Sequence, residues 1–77
     1  MLSPGSSVDA IVESVKAYGV YLLNEDDRIL VLAVETADTA QQCRHKMANF
    51  AIGEIVTVRI LRFVAEETIY VGTMKST

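Results

Sequence analysis

Two tyrosines offer the clearest chemistry in this chain: Tyr18 and Tyr21, three apart, with Gly19 and Val20 between them. An aromatic ring presents a flat face, and a base stacked on it contributes about 1–3 kcal/mol whatever the base. Paired aromatics on an open sheet face are a common grip for single-stranded nucleic acid. Val20 and Leu22 mark the segment as extended, and residues three apart on an ideal strand point to opposite faces. The two rings can therefore share a face only if the chain bends or bulges near Gly19. Gly19 stands where a larger side chain would block a sharp bend or a close backbone approach. Lys16 and Arg28 fall nearest the pair in sequence. Arg59 lies on a later strand, with Arg62 on the opposite face if that strand is regular. Arg44, His45 and Lys46 form a second basic spot.

Other chemistry has less support. Cys43 and His45 are two apart on a segment of helix formers, so they point about 200° from each other and cannot form a nucleophile–base couple. With one cysteine and one histidine in the chain, a zinc site lacks ligands, and a Ser-His-Asp set would need that same histidine. No phosphate-cradling glycine loop is present. Glu25, Asp26, Asp27, Glu66 and Glu67 sit in turn-prone segments and read as solvated charges. The expectation is a non-catalytic chain with no cofactor and no metal.

With 77 residues, 51% of them apolar, the chain is one domain that can bury a compact core, near the lower size limit for doing so without staples. A single cysteine makes no internal disulfide, which fits a reducing compartment or is merely neutral. No apolar run approaches the roughly 20 residues that span a bilayer. The N-terminus lacks the basic and apolar regions of a signal peptide. The chain is read as cytoplasmic, with no membrane contact. Seven basic residues against ten acidic ones, a net charge of −3, mean that any positive field for phosphates is local.

The elements that must position these residues follow from periodicity. Val8, Ala10 and Val12 alternate with polar or outward positions, predicting strand one from Val8 to Lys16. Strand two runs from Tyr18 to Leu23, a hairpin loop from Asn24 to Asp27, and strand three from Arg28 to Val34. Thr36 to Met47 reads as a helix capped by Thr36 or Asp38, with Ala40, Cys43 and Met47 as a narrow apolar stripe. Strand four spans Ile55 to Val64 and strand five Thr68 to about Met74. Residues 29–34 are all apolar, so one alternate set must point away from the barrel interior. The helix, a protein partner or a second copy of the chain could cover it. Five strands with a helix between the third and fourth is the order of the OB-fold, a small antiparallel Greek-key barrel. One domain over residues 1–77 is expected, with 1–6 and 75–77 as loose ends.

At the level of motif, Gly5-x-x-Val8-x-Ala10-x-Val12-x-x-Val15-x-x-Tyr18-Gly19-Val20-Tyr21-Leu22 resembles the opening of the S-one domain. That is the RNA-binding OB module repeated in the largest protein of the bacterial small ribosomal subunit and found in several ribonucleases. Phe50-x-Ile52-Gly53-Glu54-x-Val56-x-Val58-x-Ile60-Leu61 is similar to that family's entry into strand four. The resemblance implies that Tyr18 and Tyr21 are the aromatic pair of an RNA-binding face. It also implies a histidine on strand three, where Leu32 stands, and an acidic and a basic residue around the last hairpin, where Val64, Glu66, Glu67 and Thr68 stand.

Two functional expectations follow. One is weak binding of single-stranded RNA through Tyr18 and Tyr21, helped by Lys16, Arg28 and Arg59. The other is a degenerate OB domain whose apolar strand-three face serves a protein partner or a homodimer.

Overall fold

A computed structural model describes residues 2–76. Its elements are β1 (Ser7–Lys16), β2 (Gly19–Asn24), β3 (Asp27–Leu32), a 3-10 turn (Ala33–Glu35), α1 (Ala40–Asn49), β4 (Ile55–Val64) and β5 (Ile69–Thr73). The strands close into an OB-fold barrel in the order β1-β2-β3-β5-β4. The long β1 makes closure possible, pairing with β4 through Ser7–Ile11 and with β2 through Ile11–Lys16. One ladder departs from antiparallel pairing throughout: β3 and β5 run parallel, with Ile29 opposite Tyr70 and Leu30 opposite Val71. The crossover through α1 and β4 delivers β5 to that edge in the same direction as β3, as a parallel neighbour requires.

The alternating sets fill the interior. Ala10, Val12, Val20, Leu22, Ile29, Val31, Val58 and Ile60 are buried there, and Tyr70 closes the cluster. Removing such methyl-rich surface from water is the main favourable term for a barrel of this size. Two bulges interrupt the alternation. On β1 the register jumps from Val12 opposite Leu22 to Ser14 opposite Tyr21. On β4 it jumps from Ile60 opposite Gly72 to Arg62 opposite Val71. Each leaves one residue, Glu13 or Leu61, without an opposite number and turns the strand more sharply.

Several boundaries differ from the sequence reading. Strand three stops at Leu32 because Ala33 leaves the sheet for the 3-10 turn, whose carbonyl takes both the backbone N–H (3.3 Å) and the hydroxyl (2.7 Å) of Thr36. With Thr36 so engaged, and Asp38 accepting from the backbone N–H and hydroxyl of Ser76, the helix is capped by Thr39, which accepts from Gln42 N–H at 3.2 Å. The β2–β3 loop is only Glu25-Asp26, since Asn24 pairs with Asp27.

The helix does not cover the outward set of strand three. It rests mainly against the Ala33–Glu35 turn, and Leu32 and Val34 stay 41% and 67% exposed. The described parts of the expected loose ends are held as well. Leu2 N–H donates to Tyr70 Oη at 3.1 Å, Gly5 N–H to Ile60 O at 2.7 Å, and Ser76 bonds Asp38. Met1 and Thr77 lie outside the described residues.

Candidate nucleic-acid interface

The β1–β2 corner carries the aromatic pair. Tyr18 belongs to the two-residue turn Ala17-Tyr18 that precedes β2, so strand alternation does not dictate where its ring goes. Its carbonyl accepts from Ala33 N–H at 2.9 Å, which fastens the turn to the end of β3. Tyr21 lies on β2 with its ring outward, because Val20 and Leu22 fill the core. The rings therefore meet on one face: their hydroxyls are hydrogen-bonded at 2.8 Å, and the ring centroids stand 6.1 Å apart at 89°. An edge-to-face pair is the geometry that ring quadrupoles favour. Tyr18 is the more open of the two, at 54% exposure.

Gly19 makes this corner possible, and it does so by close approach rather than by bending the strand. A Cβ there would sit 2.5 Å from Val31 O and 3.0 Å from Leu32 Cα. Gly72 plays a similar part on β5, where a Cβ would meet Val58 Cγ2 at 2.6 Å and Ile29 Cγ2 at 3.1 Å.

The β1 bulge supplies the electrostatics. Glu13 sits at the register jump, and its Oε1 accepts from Arg28 Nε at 3.2 Å while Arg28 Nη2 stands 3.2 Å from the same oxygen. The guanidinium lies over the Tyr21 ring, with Cζ 4.9 Å from the centroid, a cation–π arrangement. The Tyr21 hydroxyl is held above its ordinary pKa of 10.0 first by the hydrogen bond to Tyr18. Partial burial and the charge of Glu67 on the β4–β5 hairpin push the same way, while Arg28 opposes them.

Register places the remaining residues. Tyr21 is opposite Leu30, Leu30 opposite Val71, and Val71 opposite Arg62, one row across four strands. Arg59 is opposite Thr73, two residues along β5 from Val71. The bulge at Leu61 thus puts Arg59 and Arg62 on the same face, where a regular strand would have separated them. Of the five residues singled out in the sequence, Tyr18, Tyr21 and Arg28 come together. Lys16, at the end of β1, lines a groove beside α1. Arg59 lies one alternation beyond the Tyr21 row, which Arg62 joins instead. Cys43 is buried and donates to Ala37 O at 3.4 Å, His45 is exposed, and no metal-binding cluster occurs among the described residues.

Glu13 and Glu67 were missed as parts of the site. For Glu13 the signal was legible: inward apolar positions step by two through Val8, Ala10 and Val12, then by three to Val15, which packs against the core. A step of three in a period-two pattern is the mark of a bulge.

No protein-family model and no curated protein matches this chain in sequence. Solved structures do match. An uncharacterised protein from Methanocaldococcus jannaschii superposes with a TM-score of 0.77 at 19% identity, over 95% of this chain and 92% of that one. GSP13 from Bacillus subtilis gives 0.80 at 20% identity, over 96% of this chain and 56% of that one. The a/eIF2alpha-aDim2p-rRNA complex from Pyrococcus horikoshii gives 0.82 at 18% identity, over 97% of this chain and 45% of that one. The chain thus spans nearly all of the first relative and about half of each of the others. These likenesses establish the OB-fold; at such identities they assign no activity. No helix among the described residues is long and apolar enough to cross a membrane.

Proposed function

We propose that this chain is a non-catalytic RNA-binding module of the S-one type that holds single-stranded RNA weakly by stacking on the Tyr18–Tyr21 pair. The observation that carries this reading is the shared face of the two rings, with the Arg28 guanidinium laid over Tyr21. Neighbours on the same fold include a domain found in a complex with rRNA, which supports RNA as the ligand class. Tyr18 offers the open ring for the first base. A base on Tyr21 would displace Arg28, whose guanidinium then becomes available to a phosphate. Arg62, Arg59 and Lys16 add cations around this centre. Two stacked bases at about 1–3 kcal/mol each scarcely exceed the entropic cost of association. An acidic surface subtracts further at long range. Affinity is therefore high-micromolar at best, with little sequence preference and a shallow salt slope.

The test is titration of a short unstructured RNA at two salt concentrations, read by backbone amide shifts. Shifts centred on Tyr18, Gly19 and Tyr21, lost in a folded Tyr21→Ala variant, support the reading. If those amides stay still while residues 29–34 broaden with protein concentration, RNA binding is wrong and self-association replaces it.

A second reading rests on the exposure of Leu32, at the end of β3, and of Val34 in the turn that follows it. Uncovered apolar side chains there suit a protein partner or a second copy of the chain. Measuring solution mass alongside the titration separates the two readings.

A further inference from the structure

Beside the tyrosine face, the space between α1 and the β1–β2 corner is an open groove of about 940 Å³. Val15, Ala33, Val34, Cys43 and Met47 form an apolar floor. Two cations, Lys16 from the strand side and Arg44 from the helix side, stand at its rim. Neither forms an ion pair with any described residue, although acidic groups outnumber basic ones in the chain. Lys75 in the lining stands 4.0 Å from Glu35 Oε2. Asp38 there stays ionised, its carboxylate taking two hydrogen bonds from Ser76. Lys16 and Arg44 therefore leave the lining net positive against a single carboxylate. Small-molecule sites have this composition, mostly apolar with a few convergent polar groups, and volumes of about 300–1,000 Å³. The floor has no aromatic ring, so it offers a nucleic-acid base nothing to stack on.

The geometry points to a binding site for a small amphipathic anion, an alkyl or aryl chain ending in a carboxylate, in the groove between α1 and the β1–β2 corner. The chain lies on Val15, Val34 and Met47, displacing water from apolar surface. The carboxylate is taken by Arg44, whose planar fork matches it bidentately, and by Lys16. Neither tyrosine lines this groove, so it is distinct from the stacking face and shares with the RNA reading only Lys16.

Dodecanoate below its micellar concentration is the probe, with dodecylamine as the charge-reversed control. Dodecanoate is expected to shift the amides of residues 15–17, 33–34 and 40–48, and dodecylamine to leave them in place. Arg44→Glu and Lys16→Glu change exposed side chains and leave the fold intact. Each is expected to weaken dodecanoate binding at least tenfold, and Val34→Asp to abolish it. Equal binding of acid and amine, indifference to both charge reversals, shifts spread over the rest of the barrel, or no saturable binding would each overturn the proposal.

Discussion

Glu13 and Arg28 stand 15 residues apart in sequence, yet they share an ion pair at 3.2 Å that holds the Arg28 guanidinium over the ring of Tyr21. The pair exists because the β1 bulge falls at Glu13, directly before the residue that faces Tyr21 across the ladder. It is a half-exposed pair, 51% and 36% accessible on its two sides, so its own stabilisation is at most about 1 kcal/mol. Its larger consequence is competition, because an RNA phosphate must take Arg28 from Glu13.

Glu13→Gln should therefore tighten RNA binding by about two- to fivefold, the range that about 1 kcal/mol allows. The salt slope should steepen by about 0.7, one further phosphate contact on a single strand. A double-mutant cycle decides the mechanism. If the gain from Glu13→Gln persists in an Arg28→Ala background, removal of a negative charge explains it and the competition does not.

The hydroxyl contact between the tyrosines is open to titration. Tyr21 loses its proton less readily in the folded chain than in the unfolded one, mainly through the bond to Tyr18. The folded state thus holds that proton more tightly. The associated stability is fully present below the unfolded value of 10.0 and is lost as pH rises through the higher folded value. Tyr18→Phe should bring the Tyr21 transition, followed by phenolate absorbance, back towards 10.0. An unmoved transition would mean that Tyr18 is not what raises it.

Gly19 admits no side chain, because a Cβ would stand 2.5 Å from the Val31 carbonyl oxygen, and backbone cannot yield as a side-chain tip does. Gly19→Ala should cost about 1–3 kcal/mol, as overpacking does, lowering Tm by at least about 4 °C. Gly19→Val should cost more. Thermal unfolding at constant pH checks this, and a wild-type Tm in the alanine variant would refute the close approach.

The barrel was legible because its inward residues alternate with a period of two, and because turn formers separate the runs. The meeting of the tyrosines was legible only as a condition. Three-residue spacing demanded some irregularity, and the sequence near Gly19 marked where. Which irregularity it was depended on the Ala17-Tyr18 turn, fixed by a backbone bond from Ala33 to Tyr18 that carries no side-chain signature. The placement of Arg59 and Arg62 depended on a bulge at Leu61. An unbroken run such as Ile60-Leu61-Arg62-Phe63 does not reveal which residue will be left over. Helix cover of strand three failed because Thr36 was committed to ending the 3-10 turn, which delayed the helix to Ala40 and moved it off the strand.

The parallel edge between β3 and β5 is the shortest ladder in the barrel, with two residue pairs, and its continuation depends on Thr73. That side chain is buried, and its hydroxyl donates to Glu35 Oε1 at 2.7 Å while accepting from Lys75 N–H at 3.1 Å. Met74 N–H adds a bond to Glu35 O at 2.8 Å. Together these fasten the Ala33–Glu35 turn to the end of β5, where pairing with β3 has already stopped. Thr73→Val keeps the shape but leaves the Glu35 carboxylate and the Lys75 amide without that partner, a loss of about 1–3 kcal/mol when such groups are shielded from water. Thr73→Ser keeps the hydroxyl and removes only a methyl group, so it should cost less. The discriminating measurement is hydrogen exchange at Met74. Its amide should open faster in Thr73→Val than in Thr73→Ser, at matched global stability. Faster exchange in Thr73→Ser than in Thr73→Val would mean that packing of the methyl group, rather than the hydroxyl's bond to Glu35, holds this edge closed, and equal exchange would mean that the hydroxyl's bond is not what closes it.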